Sequence, residues 1–110
     1  MASEIEPGEL EQLLDGDHPP PLVVDIRSPA AFAERHIPGS ENIPFEALPA
    51  SMAELQGADH IVTVCPHGKA SKQAVRLIES YEGIEESTRV ESLAGGLEAW
   101  SGPIESSRRT

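Results

Sequence analysis

Two short apolar, β-branched runs set the frame of this chain: "LVVDI" at 22–26 and "HIVTVC" at 60–65. Runs of this kind, without polar alternation, suit strands buried on both faces, as in a parallel sheet. Parallel neighbours need a crossover between them, usually a helix, and the intervening sequence has helical patterns. In "EPGELEQLLDG" (6–16), Pro7 suits the first turn, Leu10, Leu13 and Leu14 share a face, and Asp15-Gly16 ends the helix. "SPAAFAERH" (28–36) offers Ser28 as N-cap and Pro29 at the first helical position. Residues 48–55 predict a further short helix. From about 69 to 81, Ala70, Ala74, Val75, Leu77, Ile78 and Tyr81 recur at helical spacing, which predicts a helix with one face on a sheet. "STRVESL" (87–93) is a weaker third strand, and "GGLEAW" (95–100) starts a last short helix with Trp100 in the core. "DHPPP" (17–21) reads as an extended connector, and "IPGSENIP" (37–44) holds too much proline and glycine for regular structure. The fold expected is α/β, a central and mostly parallel sheet flanked by helices.

With 110 residues the chain suits one domain spanning 1–110, its core at about 4–104 and a flexible tail at 105–110. The formal net charge is −11, from 19 acidic and 8 basic residues. Without clustered basic residues to displace counterions, neither nucleic acid nor an anionic membrane is an expected partner. Fifteen glutamates against two lysines suit a halophilic cytosol, where salt screens self-repulsion. No signal-peptide pattern opens the sequence, and no apolar run approaches the roughly 20 residues that span a bilayer. One cysteine allows neither an internal disulfide nor a cysteine zinc site. A cytoplasmic, reducing compartment is expected; the sequence is silent on oligomeric state.

That cysteine, Cys65, sits in "TVCPHGKASK" with both lysines, Lys69 and Lys72. It ends a strand just before a helix, the place where open α/β sheets bind ligands. Gly68 permits a tight loop, whose successive N–H groups and following helix N-terminus form an anion-binding concavity. Lys69 and Lys72 add positive charge, and His67 serves as a donor, or as a cation when protonated. The loop is thus suited to hold a sulfur anion and to attract an anionic substrate. A lone cysteine ending an apolar strand also reads as a small buried hydrophobe.

"CPHGKAS", between a strand and a helix, resembles the active-site loop of rhodanese-like sulfurtransferases. "VVDIRSPAAFAERHIPGSENIP" and "GGLEAW" are similar to the N- and C-terminal signatures of the same family, in the same order. The "C-x-H-G-x-x-S-K" pattern is most similar to single-domain thiosulfate sulfurtransferases. The resemblance implies that Cys65 takes the outer sulfur of thiosulfate or another persulfide donor and releases sulfite. It then passes the sulfur to cyanide, a small thiol or a thioredoxin-like acceptor. Pro66, His67, Gly68, Lys69, Ala70, Ser71 and Lys72 would form the loop that binds substrate and persulfide, its N–H groups acting like an oxyanion hole. No metal or organic cofactor is implied. Asp25 and Arg27 read as an ion pair bracing a strand end, and His36 as a structural hydrogen-bonding residue.

The chain departs from the family pattern in places. Ala70 stands where many relatives carry arginine, and Lys69, one position earlier, attracts an anion without gripping it bidentately. Arg35 and Ser40 replace small residues beside His-Ile-Pro-Gly. Two other functions fit the loop less well. A related phosphatase or arsenate reductase needs a longer loop closing with arginine at the sixth residue after the cysteine, where this chain has Ser71. A sulfur-relay module would take its persulfide from a partner protein, and would have less need of the missing arginine.

Overall fold

A computed structural model describes residues 3–16 and 19–106. Among the described residues, five strands run β1 (Glu4–Ile5), β2 (Leu22–Asp25), β3 (Glu41–Asn42), β4 (His60–Val64) and β5 (Arg89–Leu93). They form one sheet in the order β1-β5-β4-β2-β3, and every pairing is parallel. The helices are α1 (Pro7–Asp15), α2 (Pro29–Glu34), α3 (Leu48–Leu55) and α4 (Ala70–Glu79). Central strands β2 and β4 are the two apolar runs, and their side chains divide by alternation. Val24 and Ile61 join Val90 in a core covered by α3 and α4. Val23, Val62 and Val64 join Leu93 in a second core under Leu10 of α1, Leu97 and Trp100. Each fully buried aliphatic side chain contributes about 1.5–3 kcal/mol. No helix among the described residues is long and apolar enough to cross a membrane.

The predicted caps are present: the Ser28 hydroxyl accepts the Ala31 N–H at 3.2 Å, with Pro29 opening α2. Elsewhere the boundaries differ. The expected loop at 37–44 contains β3, whose backbone pairs with β2 while Asn42 Nδ2 donates to the Asp25 and Arg27 carbonyls, each at 3.0 Å. The N-terminal β1, which the sequence did not suggest, adds an edge beside β5. Helix α4 stops at Glu79, because the Tyr81 N–H turns to the Ile78 carbonyl at 3.1 Å, and Tyr81 is exposed rather than packed on the sheet. The last helix shrinks to a 3-10 turn at Leu97–Ala99. The predicted tail starts too early: His36 and Glu105 exchange backbone hydrogen bonds at 2.9 Å, which anchors 105–106. Residues 107–110, and Asp17 and His18 of the expected connector, lie outside the described residues.

Candidate active site

Strand β4 delivers Cys65 one residue past its end, and α4 begins five residues later. The turn between them folds back under the sulfur because Gly68 adopts φ +89°, a left-handed value that glycine takes without strain. The Gly68 N–H then donates to Cys65 Sγ at 3.0 Å. The Ser71 N–H, in the first turn of α4, donates to it at 3.3 Å. Lys69, the N-cap of that helix, supplies no capping side chain, so the sulfur receives one of the first-turn donors. The positive end of the helix dipole faces the same way. Ser71 Oγ lies 3.2 Å from Sγ and 2.6 Å from Ser92 Oγ of β5. Below them Thr63 Oγ1 donates to the Ser71 carbonyl at 2.8 Å. Cys65 is only 2% exposed.

A second loop, at Gly95 and Gly96, locks the first in place. The Leu97 N–H donates to the Cys65 carbonyl at 2.8 Å, and the Glu98 N–H to the Pro66 carbonyl at 3.1 Å. Gly96 (φ +68°) touches this backbone so closely that a Cβ would stand 2.4 Å from the Cys65 carbonyl oxygen. The "GG" of "GGLEAW" is therefore the floor of the cysteine loop.

The charged loop side chains do not converge on the sulfur. His67 Nδ1 sits 2.6 Å from Glu98 Oε2, both largely exposed. Lys72 Nζ turns to Glu4 Oε2 at 3.5 Å, toward the β1 edge. Lys69 and Ala70 are exposed, and Lys69 makes no ion pair among the described residues. Among the described residues, the groups that hydrogen-bond to Sγ are two backbone N–H groups and one hydroxyl. Beside the loop, Arg27, Arg35, Pro66, Leu97 and Glu98 line an open depression of about 280 Å³.

Asp25 and Arg27 form an ion pair at the end of β2. Arg27 Nε and Nη2 donate to Asp25 Oδ1 and Oδ2 at 2.9 and 2.7 Å, and Nη2 also donates to the Arg35 carbonyl at 2.6 Å. His36 Nδ1 donates to the Phe32 carbonyl at 2.7 Å, with Nε2 3.2 Å from Glu105 Oε1. Its ring stacks on Phe32 at 3.9 Å. Trp100 is buried and donates from Nε1 to the Pro103 carbonyl at 2.9 Å. Sequence reasoning passed over Ser92 and Thr63. Their signal was a pair of small hydroxyl residues within strands otherwise built for burial.

Comparison with known proteins agrees with this arrangement. The family model described as the rhodanese-like domain matches residues 6–103. The chain belongs to the rhodanese-like family. A sulfurtransferase of Allochromatium vinosum is 35% identical to it over 102 residues, which cover 92% of this chain and 90% of that protein. Thiosulfate sulfurtransferase GlpE of Pseudomonas fluorescens (strain Pf0-1) is 40% identical over 82 residues, covering 72% of this chain and 69% of that protein. Among solved structures, a thiosulfate sulfurtransferase from Pseudomonas aeruginosa superposes with a TM-score of 0.81 at 28% identity. It covers 96% of this chain, which spans only 20% of the length of that protein. Sulfur transfer through a cysteine is the general activity that membership of this rhodanese-like family brings, and Cys65 is the only cysteine here.

Proposed function

We propose that this rhodanese-like domain is a thiosulfate sulfurtransferase with Cys65 as its nucleophile. The observation that carries the reading is Sγ itself: it ends a strand and faces two N–H donors and one hydroxyl at 3.0–3.3 Å. Such a cradle suits an anionic sulfur. In the loading step Sγ attacks the outer sulfur of thiosulfate, the S–S bond of the donor breaks, and sulfite leaves with the electron pair. In the discharge step cyanide, a small thiol or a thioredoxin-like thiol attacks the outer sulfur, and Sγ leaves as thiolate. A reducing, cytoplasmic setting keeps the thiol available.

One observation favours a second reading, that of a relay receiving sulfur from a protein persulfide. Among the described residues no cationic side chain hydrogen-bonds to the sulfur, and Ala70 occupies the position at which an arginine would hold thiosulfate. The test is production of thiocyanate from thiosulfate and cyanide by purified protein, with an aryl phosphate as control. We expect turnover of the first, none of the second, and loss to background in Cys65→Ser with unchanged circular dichroism. Failure on thiosulfate with activity on a protein persulfide would select the relay. Phosphate hydrolysis, or activity persisting in Cys65→Ser, would overturn both.

A further inference from the structure

Three hydroxyl residues, Thr63, Ser71 and Ser92, are completely buried under the cysteine loop, beside a cluster of apolar side chains. Buried hydroxyls are tolerated when every proton has an acceptor. Thr63 is accounted for by the Ser71 carbonyl at 2.8 Å. Ser71 Oγ and Ser92 Oγ form a chain with the sulfur: Ser92 to Ser71 at 2.6 Å and Ser71 to Cys65 at 3.2 Å.

The direction of the protons along this chain follows from its ends. Among the described residues, Ser92 Oγ has no hydrogen-bond partner besides Ser71 Oγ. Consider a Cys65 thiol proton aimed at Ser71 Oγ. Ser71 would then spend its own proton on Ser92, and the Ser92 proton would have no acceptor. With the sulfur as an anion, Ser92 donates to Ser71, Ser71 donates to Sγ, and every proton is used. An unpartnered buried O–H is costly, so the hydroxyl protons run from Ser92 through Ser71 to the sulfur, which accepts.

We propose that Ser92 is a positioning residue for sulfur transfer: it fixes the Ser71 hydroxyl as a donor aimed at Cys65 Sγ. The proposal rests on the sulfur-transfer reading above and adds a residue on a different strand, remote from the substrate. The two half-reactions should respond differently. In loading, a donor on Sγ raises the anionic fraction but weakens the nucleophile, and the two effects largely offset. In discharge, Cys65–S–S⁻ and cyanide give Cys65–S⁻ and thiocyanate, so Sγ departs with the pair from the broken S–S bond. A donor on the leaving sulfur helps that step without compensation.

The experiment compares Ser92→Ala with wild type in three measurements. These are the pH profile of iodoacetamide alkylation, the rate of persulfide loading from thiosulfate, and the rate of cyanide discharge from the isolated persulfide. We expect discharge about three- to tenfold slower and loading within about twofold, given the usual worth of a hydrogen bond between uncharged groups such as the Ser92 and Ser71 hydroxyls. The alkylation profile should move to higher pH, and Ser92→Thr, which keeps the hydroxyl, should restore it. In a Ser71→Ala background, Ser92→Ala should change neither the profile nor the discharge rate further. A Ser92→Ala protein that alkylates and discharges like wild type would overturn the proposal. An equal effect in the Ser71→Ala background would also overturn it, as would a lowered thermal midpoint with an unmoved profile. If alanine loosens β5, Ser92→Thr and Ser92→Val, isosteric with each other, carry the same comparison. Alkylation needs no sulfur donor, so a wild-type failure on thiosulfate counts against the functional reading and leaves this test intact.

Discussion

Gly96 shows how much of the site depends on the absence of a side chain. Its backbone lies at φ +68° and ψ −165°, a region used almost only by glycine, and costing another residue about 1–3 kcal/mol. A Cβ there would meet the Cys65 carbonyl oxygen at 2.4 Å and the Pro66 carbonyl carbon at 2.5 Å, and backbone cannot swing aside as a flexible side chain can. Gly96→Ala is expected to lower unfolding free energy by at least about 2 kcal/mol in urea titration and to cut sulfur transfer by displacing the loop. Gly8→Ala is the control. Nothing lies within 4 Å of the added Cβ, which sits near the start of α1, so its stability should be unchanged or rise by up to about 1 kcal/mol. The lysines separate in the same way. Lys72→Ala should leave the thiosulfate KM within about twofold, because its ammonium faces Glu4. Lys69→Gln removes an exposed charge with no partner among the described residues and should raise KM about two- to threefold. Equal effects from the two lysines would show that the Glu4 contact does not matter in solution.

The end of β2 is held by one guanidinium that joins it to the chain just past α2. Arg27 forks onto the Asp25 carboxylate, which is 1% exposed, and reaches the Arg35 carbonyl just past α2. Removing the arginine leaves a buried carboxylate without its partner. Arg27→Ala should therefore cost about 3–5 kcal/mol, and Arg27→Lys should recover only part of it, since an ammonium cannot reproduce the fork. A urea midpoint near wild type for the alanine variant would refute this. The sequence displayed this element well, because "LVV" is an unbroken apolar run ahead of Asp25 and Ser28-Pro29 is a local start signal. Helix α3 was legible to its ends for a similar reason: Leu48, Met52 and Leu55 mark one buried face. The two-residue strands β1 and β3 were not legible. Neither is an apolar run, and they are strands only because β5 and β2 offer them partners. In the site, the position of Cys65 and the need for Gly68 could be read locally. Ser92 could not, because its contact with Ser71 spans 21 residues and depends on the register that places Ser92 opposite Thr63. The charge cluster misled in part, since sequence proximity to a cysteine does not say where a long side chain points. Glu4 and Glu98, distant in sequence, hold the Lys72 ammonium and the His67 ring.

At the scale of the whole molecule, a net charge of −11 acts both on the fold and on an anionic substrate. Two like charges 10 Å apart in water repel by about 0.4 kcal/mol, small singly but cumulative over many carboxylates. Raising potassium chloride from 0.1 M to 1 M shortens the screening length from about 10 Å to about 3 Å and removes most of that repulsion. The thermal midpoint should therefore rise over this range. The effect on thiosulfate depends on which field dominates at the mouth of the loop. His67 and Lys72 are occupied by Glu98 and Glu4, so a dianion approaching Cys65 meets few uncompensated cations before an acidic surface. Long-range repulsion then outweighs local attraction, and kcat/KM for thiosulfate should rise with salt. Cyanolysis of the preformed persulfide, measured alone, separates substrate approach from chemistry. Lys69→Gln should make the rise steeper, because it removes a positive charge from the mouth. Glu98→Gln should flatten it by deleting a negative charge beside the loop. A fall in kcat/KM with salt, together with a flat response in Lys69→Gln, would mean that the loop cations command the local field despite their acidic partners. The acidic surface would then influence stability alone.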